Sequence, residues 1–431
     1  MPDAHPAALP SLTEIRALDA QDPLRQFRDA FHLPLQASGE PYLYFCGNSL
    51  GLQPRKAAAY IQAELEDWAR LGVEGHVHAR NPWLTYHEQF SGPLARLAGA
   101  LPEEVVAMNG LSVNLHLLMV SFYRPTKERF KILIEGDAFP SDSYAVASQA
   151  AFHGLAPEDA IIRMYPRPGE YLLRTEDLLA RIGEEGSSIA LVLLGGVNYY
   201  TGQYFDIGTI TRAAQAQGCM VGWDLAHAIG NVPLDLHGWN VDFACWCSYK
   251  YLNSGPGGVA GAFIHQRHLG RADLPRFAGW WGHDKASRFR MPLIFRPIPT
   301  AEAWQLSNAP VLQMAALRAS LELFDAAGME AIRAKSLRLT GLLVQLLKPL
   351  EKVGVLHIIT PQDPAQRGCQ LSLVITYDGR ALFARLQEAG VICDWREPDV
   401  IRVAPAPLYN TFEEVWQLAH LFARLLRISI P

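Results

Sequence analysis

The chain has 431 residues, with 38 Lys and Arg against 43 Asp and Glu, and its net charge of −5 leaves no basic surplus for a nucleic-acid surface. Apolar residues at 49% and ten Trp exclude a disordered chain, and the length suits two or three domains. The longest apolar runs, such as 191–194 and 342–347, fall far short of the roughly 18 residues that span a bilayer. Because the first five residues also lack a basic leader segment, a cytoplasmic protein without membrane contact is expected. Six Cys in so long a chain, four of them inside strand-like apolar runs, read as buried thiols rather than disulfides.

In chain order, residues 1–45 mix short helical patterns with Pro6, Pro10, Pro23 and Pro34 and read as an arm that joins a small domain. Residues 46–310 read as a large domain. Within it, apolar runs at 105–108, 131–135, 160–164, 189–194, 219–223, 243–248 and 259–264 alternate with helical stretches such as 178–185 and 207–217. Uniformly apolar strands alternating with helices predict an α/β fold with a mostly parallel seven-stranded sheet covered on both faces. Residues 311–431 begin with two long amphipathic helices, 311–327 and 329–348. They continue as strand, helix, strand at 370–376, 382–389 and 401–403, a smaller α+β domain. The first of those helices is expected to belong to both halves.

The chemistry concentrates at 222–258. Asp224 ends one apolar strand and Lys250 follows the next, 26 residues on, and in an open parallel sheet ligands gather at the carboxyl ends of strands. A Lys beside a hydrophobic strand can be desolvated into a nucleophile able to form a Schiff base. A facing carboxylate can pair with a pyridinium nitrogen, as pyridoxal phosphate (PLP) requires to act as an electron sink. The plain alternative is a surface Lys and a helix-capping Asp.

Two loops add to this picture. Asn109-Gly-Leu-Ser112 precedes a helical stretch and offers a phosphate free N–H groups and a hydroxyl, although Ser112 could simply cap that helix. In Ala138-Phe-Pro-Ser-Asp142, Phe139 could stack on a flat ring or be ordinary core, and Asp142 could cap a helix starting at Ser143. Asp224-x-x-His227 has no second ligand pair, so no metal is expected. Arg402 lies in an apolar strand and needs an anionic partner if buried; an exposed edge strand is the alternative.

Together, Gly47-Asn-Ser-Leu-Gly51, Gly75-His76, Leu111-Ser-Val-Asn-Leu-His116, Phe139-Pro-Ser-Asp142, Tyr200-Thr-Gly-Gln203, Asp224-Leu-Ala-His227, the 242–253 run, Trp280, Ser307-Asn308 and Arg402-Val-Ala-Pro resemble kynureninase over nearly the whole chain. That family comprises PLP enzymes of the aspartate-aminotransferase fold, fold type I. The resemblance implies that Lys250 carries PLP covalently, Asp224 binds the pyridine nitrogen and Phe139 stacks on the ring. It also implies that Leu111, Ser112 and Tyr249 hold the phosphate and that Asp142 and His227 line the cofactor. Trp280 and Asn308 would reach in from the second subunit of a homodimer. Arg402 would clamp the substrate carboxylate, with Ser49, His76 and Asn308 also on the substrate side.

The implied reaction is hydrolysis of L-kynurenine or its 3-hydroxy form to L-alanine and anthranilate or 3-hydroxyanthranilate, a step of tryptophan catabolism or NAD precursor synthesis. Lys250 would shuttle the α-proton and Tyr249 would relay one. Hydrogen-bonding groups at His76 and Asn308 favour the hydroxylated substrate. The family commonly has Thr where Ser112 stands, and some members have Ser or Thr where this chain has Gly195. A desulfurase or aminotransferase of the same fold, and a non-catalytic PLP-binding regulator, are the alternative readings.

Overall fold

The computed structural model describes residues 9–429. Seven strands form one sheet in the order Val105–Ala107, Gly261–Ile264, Phe243–Trp246, Met220–Asp224, Ile189–Gly195, Lys131–Glu135, Ile161–Met164. The last five of that order are parallel; Gly261–Ile264 runs antiparallel to both its neighbours. Side chains alternate across the strands, and both faces are apolar. Val105, Leu133, Val192, Leu194, Val221 and Trp223 enter one core, while Val106, Ile132, Ile134, Leu191, Leu193 and Phe243 enter the other. This two-sided burial is why these strands read as unbroken apolar runs.

A second, antiparallel sheet has the order Asp394–Arg396, Val400–Val403, Leu371–Ile375, Leu356–Ile358. Its core takes in Leu343, Leu346 and Leu347 from the helix Met329–Lys352 and Leu418 and Phe422 from Phe412–Leu426. The N-terminal segment joins this half. Leu43–Tyr44 pairs in parallel with Val391–Ile392, and Ile15 is buried in the same core. Its helix Leu12–Ala20 starts at a Ser11/Glu14 capping box, and Asp19 accepts the N–H groups of Phe412 and Glu413. The helix Val311–Ala327 turns Met314, Leu317, Leu321 and Phe324 into the core of the large sheet.

All six cysteines are buried and unpaired. Among the described residues no helix is long and apolar enough to cross a membrane. Three local expectations are corrected. The helix after the first large-sheet strand starts at Leu111 with Gly110 as its N-cap, so Ser112 lies inside the first turn and caps nothing. The next starts at Pro140, which places Asp142 in its first turn rather than ahead of it. Arg402 stands on an interior strand of the small sheet and is 1% exposed, so the exposed edge-strand alternative falls.

Candidate active site

A pocket opens at the carboxyl ends of the parallel strands. Lys250 and Tyr249 line it from the loop after Phe243–Trp246, and Asp224 and His227 from the end of Met220–Asp224. Leu111, Ser112, Phe139 and Asp142 enter from the first turns of two helices. The Gly47–Gly51 motif supports this arrangement from outside. The Gly51 N–H donates to the Tyr249 carbonyl at 2.8 Å, and a Cβ at 51 would stand 2.3 Å from the Lys250 carbonyl oxygen, so only glycine admits the lysine loop there.

Lys250 Nζ lies 2.9 Å from His227 Nε2 and 5.8 Å from the centre of the Phe139 ring. Burial, and then the Lys250 charge, hold His227 well below the usual histidine range. Its neutral Nε2 therefore accepts from the ammonium, and Nδ1 carries the hydrogen. Asp224 accepts the Ala226 N–H at 2.7 Å and meets the Asp142 carboxyl in a buried hydrogen-bonded pair. Burial pushes both carboxyls up, and the neighbouring Asp224 charge raises Asp142 further. Lys250 and Ala226 stabilise the charge on Asp224, so Asp142 holds the shared proton. Phe139 is 44% exposed, its face open toward the pocket, and is not core.

Asp142 Oδ1 and His227 Nδ1 are buried without a partner, and such groups are costly unless a ligand meets them. The first N–H groups of the helix Leu111–Phe122 have no intrahelical acceptor. Beside them Ser112 Oγ and Ser141 Oγ lie 2.7 Å apart. An anion seat, an aromatic wall, a buried carboxylate and an amine thus surround one cavity, and pyridoxal phosphate fits all four.

Arg402, on the small sheet, does not itself line this pocket, nor does Ser49; it bonds the lining residue Tyr199. Its Nε donates to Asp394 Oδ1 at 2.6 Å, Nη2 bonds Asp394 Oδ2 and reaches Ser49 Oγ at 3.2 Å, and Nη1 donates to the Tyr199 carbonyl at 2.5 Å. Ser49 Oγ donates to Asp394 Oδ2 at 2.5 Å, and Arg396 Nη2 approaches the same oxygen at 3.3 Å. The sequence reading did not single out Asp394, Arg396 or Ser141.

It also passed over Glu135, whose signal, a charged residue ending an apolar strand, is the one that marked Asp224. Glu135 is buried in the pocket wall, and burial pushes it up to about 7 against the pull of its two donors, Asn198 and the Gly195 N–H. A Cβ at Gly195 would lie 2.9 Å from Glu135 Oε1, so the glycine makes room for the carboxylate. Within one chain, His76, Trp280 and Asn308 do not line this pocket. His76 and Asn308 share a separate cavity with Trp68 and Trp83, and Trp280 donates to the Arg288 carbonyl at 3.2 Å.

The sheet order, the strand-end Lys and Asp and the helix N-terminus define a PLP-dependent enzyme of fold type I. Solved structures share the fold. A cysteine desulfurase from Escherichia coli superposes with a TM-score of 0.75 at 18% identity over 94% of this chain and 99% of that one. A variant of the cystine C–S lyase C-DES, with glycine covalently linked to its PLP cofactor, gives 0.73 at 20% identity over 88% of this chain and 96% of that one. Sequence comparison narrows the class. The family model described as Kynureninase C-terminal domain matches residues 332–422. The kynureninase of Myxococcus xanthus is 62% identical over 93% of this chain and 94% of its own length, and that of Salinispora tropica 56% identical over 95% and 96%. The chain belongs to the kynureninase family.

Proposed function

We propose that the pocket at Lys250 cleaves the Cβ–Cγ bond of L-kynurenine and L-3-hydroxykynurenine hydrolytically, giving L-alanine and anthranilate or 3-hydroxyanthranilate. The observation that carries this reading is the meeting of Lys250, Asp224 and Phe139 in one cavity beside a helix N-terminus. Bound PLP supplies the electron sink for the pairs released at Cα and Cβ. The first-turn N–H groups of Leu111 and Ser112, with the Ser112 hydroxyl and Tyr249, hold its phosphate; Phe139 covers the ring; Asp224 holds its nitrogen. Arg402 receives the substrate α-carboxylate through the Nη1 hydrogen that Tyr199 leaves free, with Ser49 fixing the guanidinium. Lys250, once its amine is released to the substrate side, takes the Cα proton and returns one to Cβ. His227 accepts from the ammonium and keeps its charge in place. Water adds at Cγ and ends in the aromatic acid, so the reaction balances as a hydrolysis with no oxidant. Tyr249, a lining residue next to Lys250 in the chain, is the hydroxyl relay in this reading.

The homodimer belongs to the same reading, with Trp280, Asn308 and His76 completing the neighbouring copy's site. Free buried thiols suit the reducing cytoplasm. A desulfurase needs a mobile thiol, and none of the six is exposed. Mixing the purified protein, PLP and L-kynurenine should release fluorescent anthranilate and L-alanine in equal amounts. Consumption of kynurenine without both products, or sulfide release from cysteine at a comparable rate, overturns the proposal.

A further inference from the structure

Glu135 ends the strand Lys131–Glu135 with its carboxylate turned to the next strand's loop. Oε1 accepts the Gly195 N–H at 2.6 Å and Oε2 accepts Asn198 Nδ2 at 2.5 Å. The other end of the Asn198 amide is equally committed. Its Oδ1 accepts from Tyr200 N at 3.0 Å, Thr201 N at 2.9 Å and Thr201 Oγ1 at 3.1 Å. This turn is one of the links between the two halves of the chain. The Tyr199 carbonyl accepts from Arg402 and from Gln370 Nε2, the Tyr200 carbonyl from Ser372 Oγ, and the Thr201 carbonyl from Thr360 Oγ1.

The Glu135 carboxylate therefore fixes which way the Asn198 amide faces. With an acceptor at Oε2, Asn198 must present its NH₂ there and its oxygen to the turn. Three donors of the turn then have an acceptor, and the Tyr199 carbonyl is held toward Arg402. We propose that Glu135 is a positioning residue for the substrate carboxylate: through Asn198 it sets the 198–201 turn, whose Tyr199 carbonyl aims the Arg402 guanidinium. This rests on the reading of Arg402 as the carboxylate clamp.

The donor–acceptor polarity of the pair supplies the test. In Glu135→Gln the new amide still accepts from Gly195 but sets an NH₂ against the Asn198 NH₂. In Asn198→Asp two carboxylates face each other. The exchange Glu135→Gln/Asn198→Asp restores one bond with donor and acceptor reversed and leaves an acidic oxygen for the turn. Each holoenzyme is measured for KM and kcat with L-kynurenine, for L-alanine Kd by the spectrum of the bound cofactor, and for PLP Kd by equilibrium dialysis.

Each single variant should raise KM and L-alanine Kd about tenfold or more, with kcat changed less and PLP Kd within twofold of wild type. The exchange should return both values to within about threefold. Single variants that bind L-alanine as wild type does, or an exchange no better than the worse single variant, overturn the proposal. Arg402→Ala separates the two readings: an unchanged L-alanine Kd there removes the clamp itself, whereas a weakened one beside a normal Glu135→Gln removes only the role of Glu135. Should a single variant not yield folded holoenzyme, Thr201→Val deletes one bond to Asn198 Oδ1 from the far side of the turn, together with the acceptor that Thr201 Oγ1 offers the Gln203 N–H. It should raise L-alanine Kd about threefold, and no change overturns the proposal.

Discussion

Asp394→Asn perturbs the substrate end of the site without touching the cofactor. Arg402 is 1% exposed and its charge is balanced by Asp394. Burial works against the Asp394 charge, but the bonds from Arg402 and Ser49 outweigh it and hold the carboxyl below its usual range. An asparagine keeps one acceptor for Nε or Nη2 and sets an NH₂ against the other donor, so one charge-assisted bond is lost. Such a bond is worth about 1.5–3 kcal/mol, which corresponds to a fall in kcat/KM of about tenfold to a hundredfold as the guanidinium loses its aim. Asp394→Ala removes both carboxylate acceptors and leaves the buried guanidinium without a counter-charge, costing about 3–5 kcal/mol of stability. Initial rates of anthranilate fluorescence give kcat/KM, equilibrium dialysis the PLP Kd, and urea unfolding the stability. A kcat/KM for Asp394→Asn within threefold of wild type, or a PLP Kd that rises in step with KM, refutes the argument.

Lys250→Ala should lose both turnover and the visible absorption band of lysine-bound PLP while its far-UV circular dichroism stays native; retention of the band points to another amine. His227 has a folded-state pKa well below its ordinary 6.5, so its stability contribution is complete above about pH 6.5 and is lost as pH falls toward the folded value, at about 1.4 kcal/mol per pH unit. Urea unfolding between pH 7.5 and 5.5 should therefore show a steeper decline for wild type than for His227→Asn, and parallel curves contradict the neutral buried imidazole. Wild type should prefer L-3-hydroxykynurenine by kcat/KM, with the ratio collapsing in the His76→Phe/Asn308→Thr variant; an unchanged ratio removes both residues from substrate recognition.

Much of the large sheet was legible because a strand covered on both faces carries an unbroken apolar signal, and each of the seven expected runs contains a strand within a few residues of its predicted ends. Lys250 and Asp224 stood out because a charge at the end of such a run needs a reason. Glu135 bears the same mark and was not singled out. Asp394 and Arg396 carried no comparable signal. They sit on a three-residue strand of mixed polarity, and their role comes from register, with Asp394 opposite Arg402 across an antiparallel pair. Such a pairing is set by tertiary packing, which a linear reading of local pattern does not reach. The helix starts at Leu111 and Pro140 were misplaced because Ser112 and Asp142 suit caps by residue type, whereas Gly110 and Phe139 hold those positions.

The placement of charge around the pocket follows from the joining of two sheets. The large sheet contributes Glu135, Asp142 and Asp224, of which Asp142 keeps its proton, and Lys250 stands beside them. The small sheet contributes Arg396 and Arg402 around the single carboxylate of Asp394. Two guanidiniums sharing one carboxylate leave an excess positive charge beside the buried Arg402, while the Arg396 side chain is 36% exposed and only its Nε is buried without a partner. An anionic ligand would balance that excess. On the proposed reading of the site, that anion is the substrate α-carboxylate. Asp394 fixes the Arg402 guanidinium with two bonds, beside the single bonds to Ser49 and the Tyr199 carbonyl, and leaves one positive charge of the two arginines unmatched.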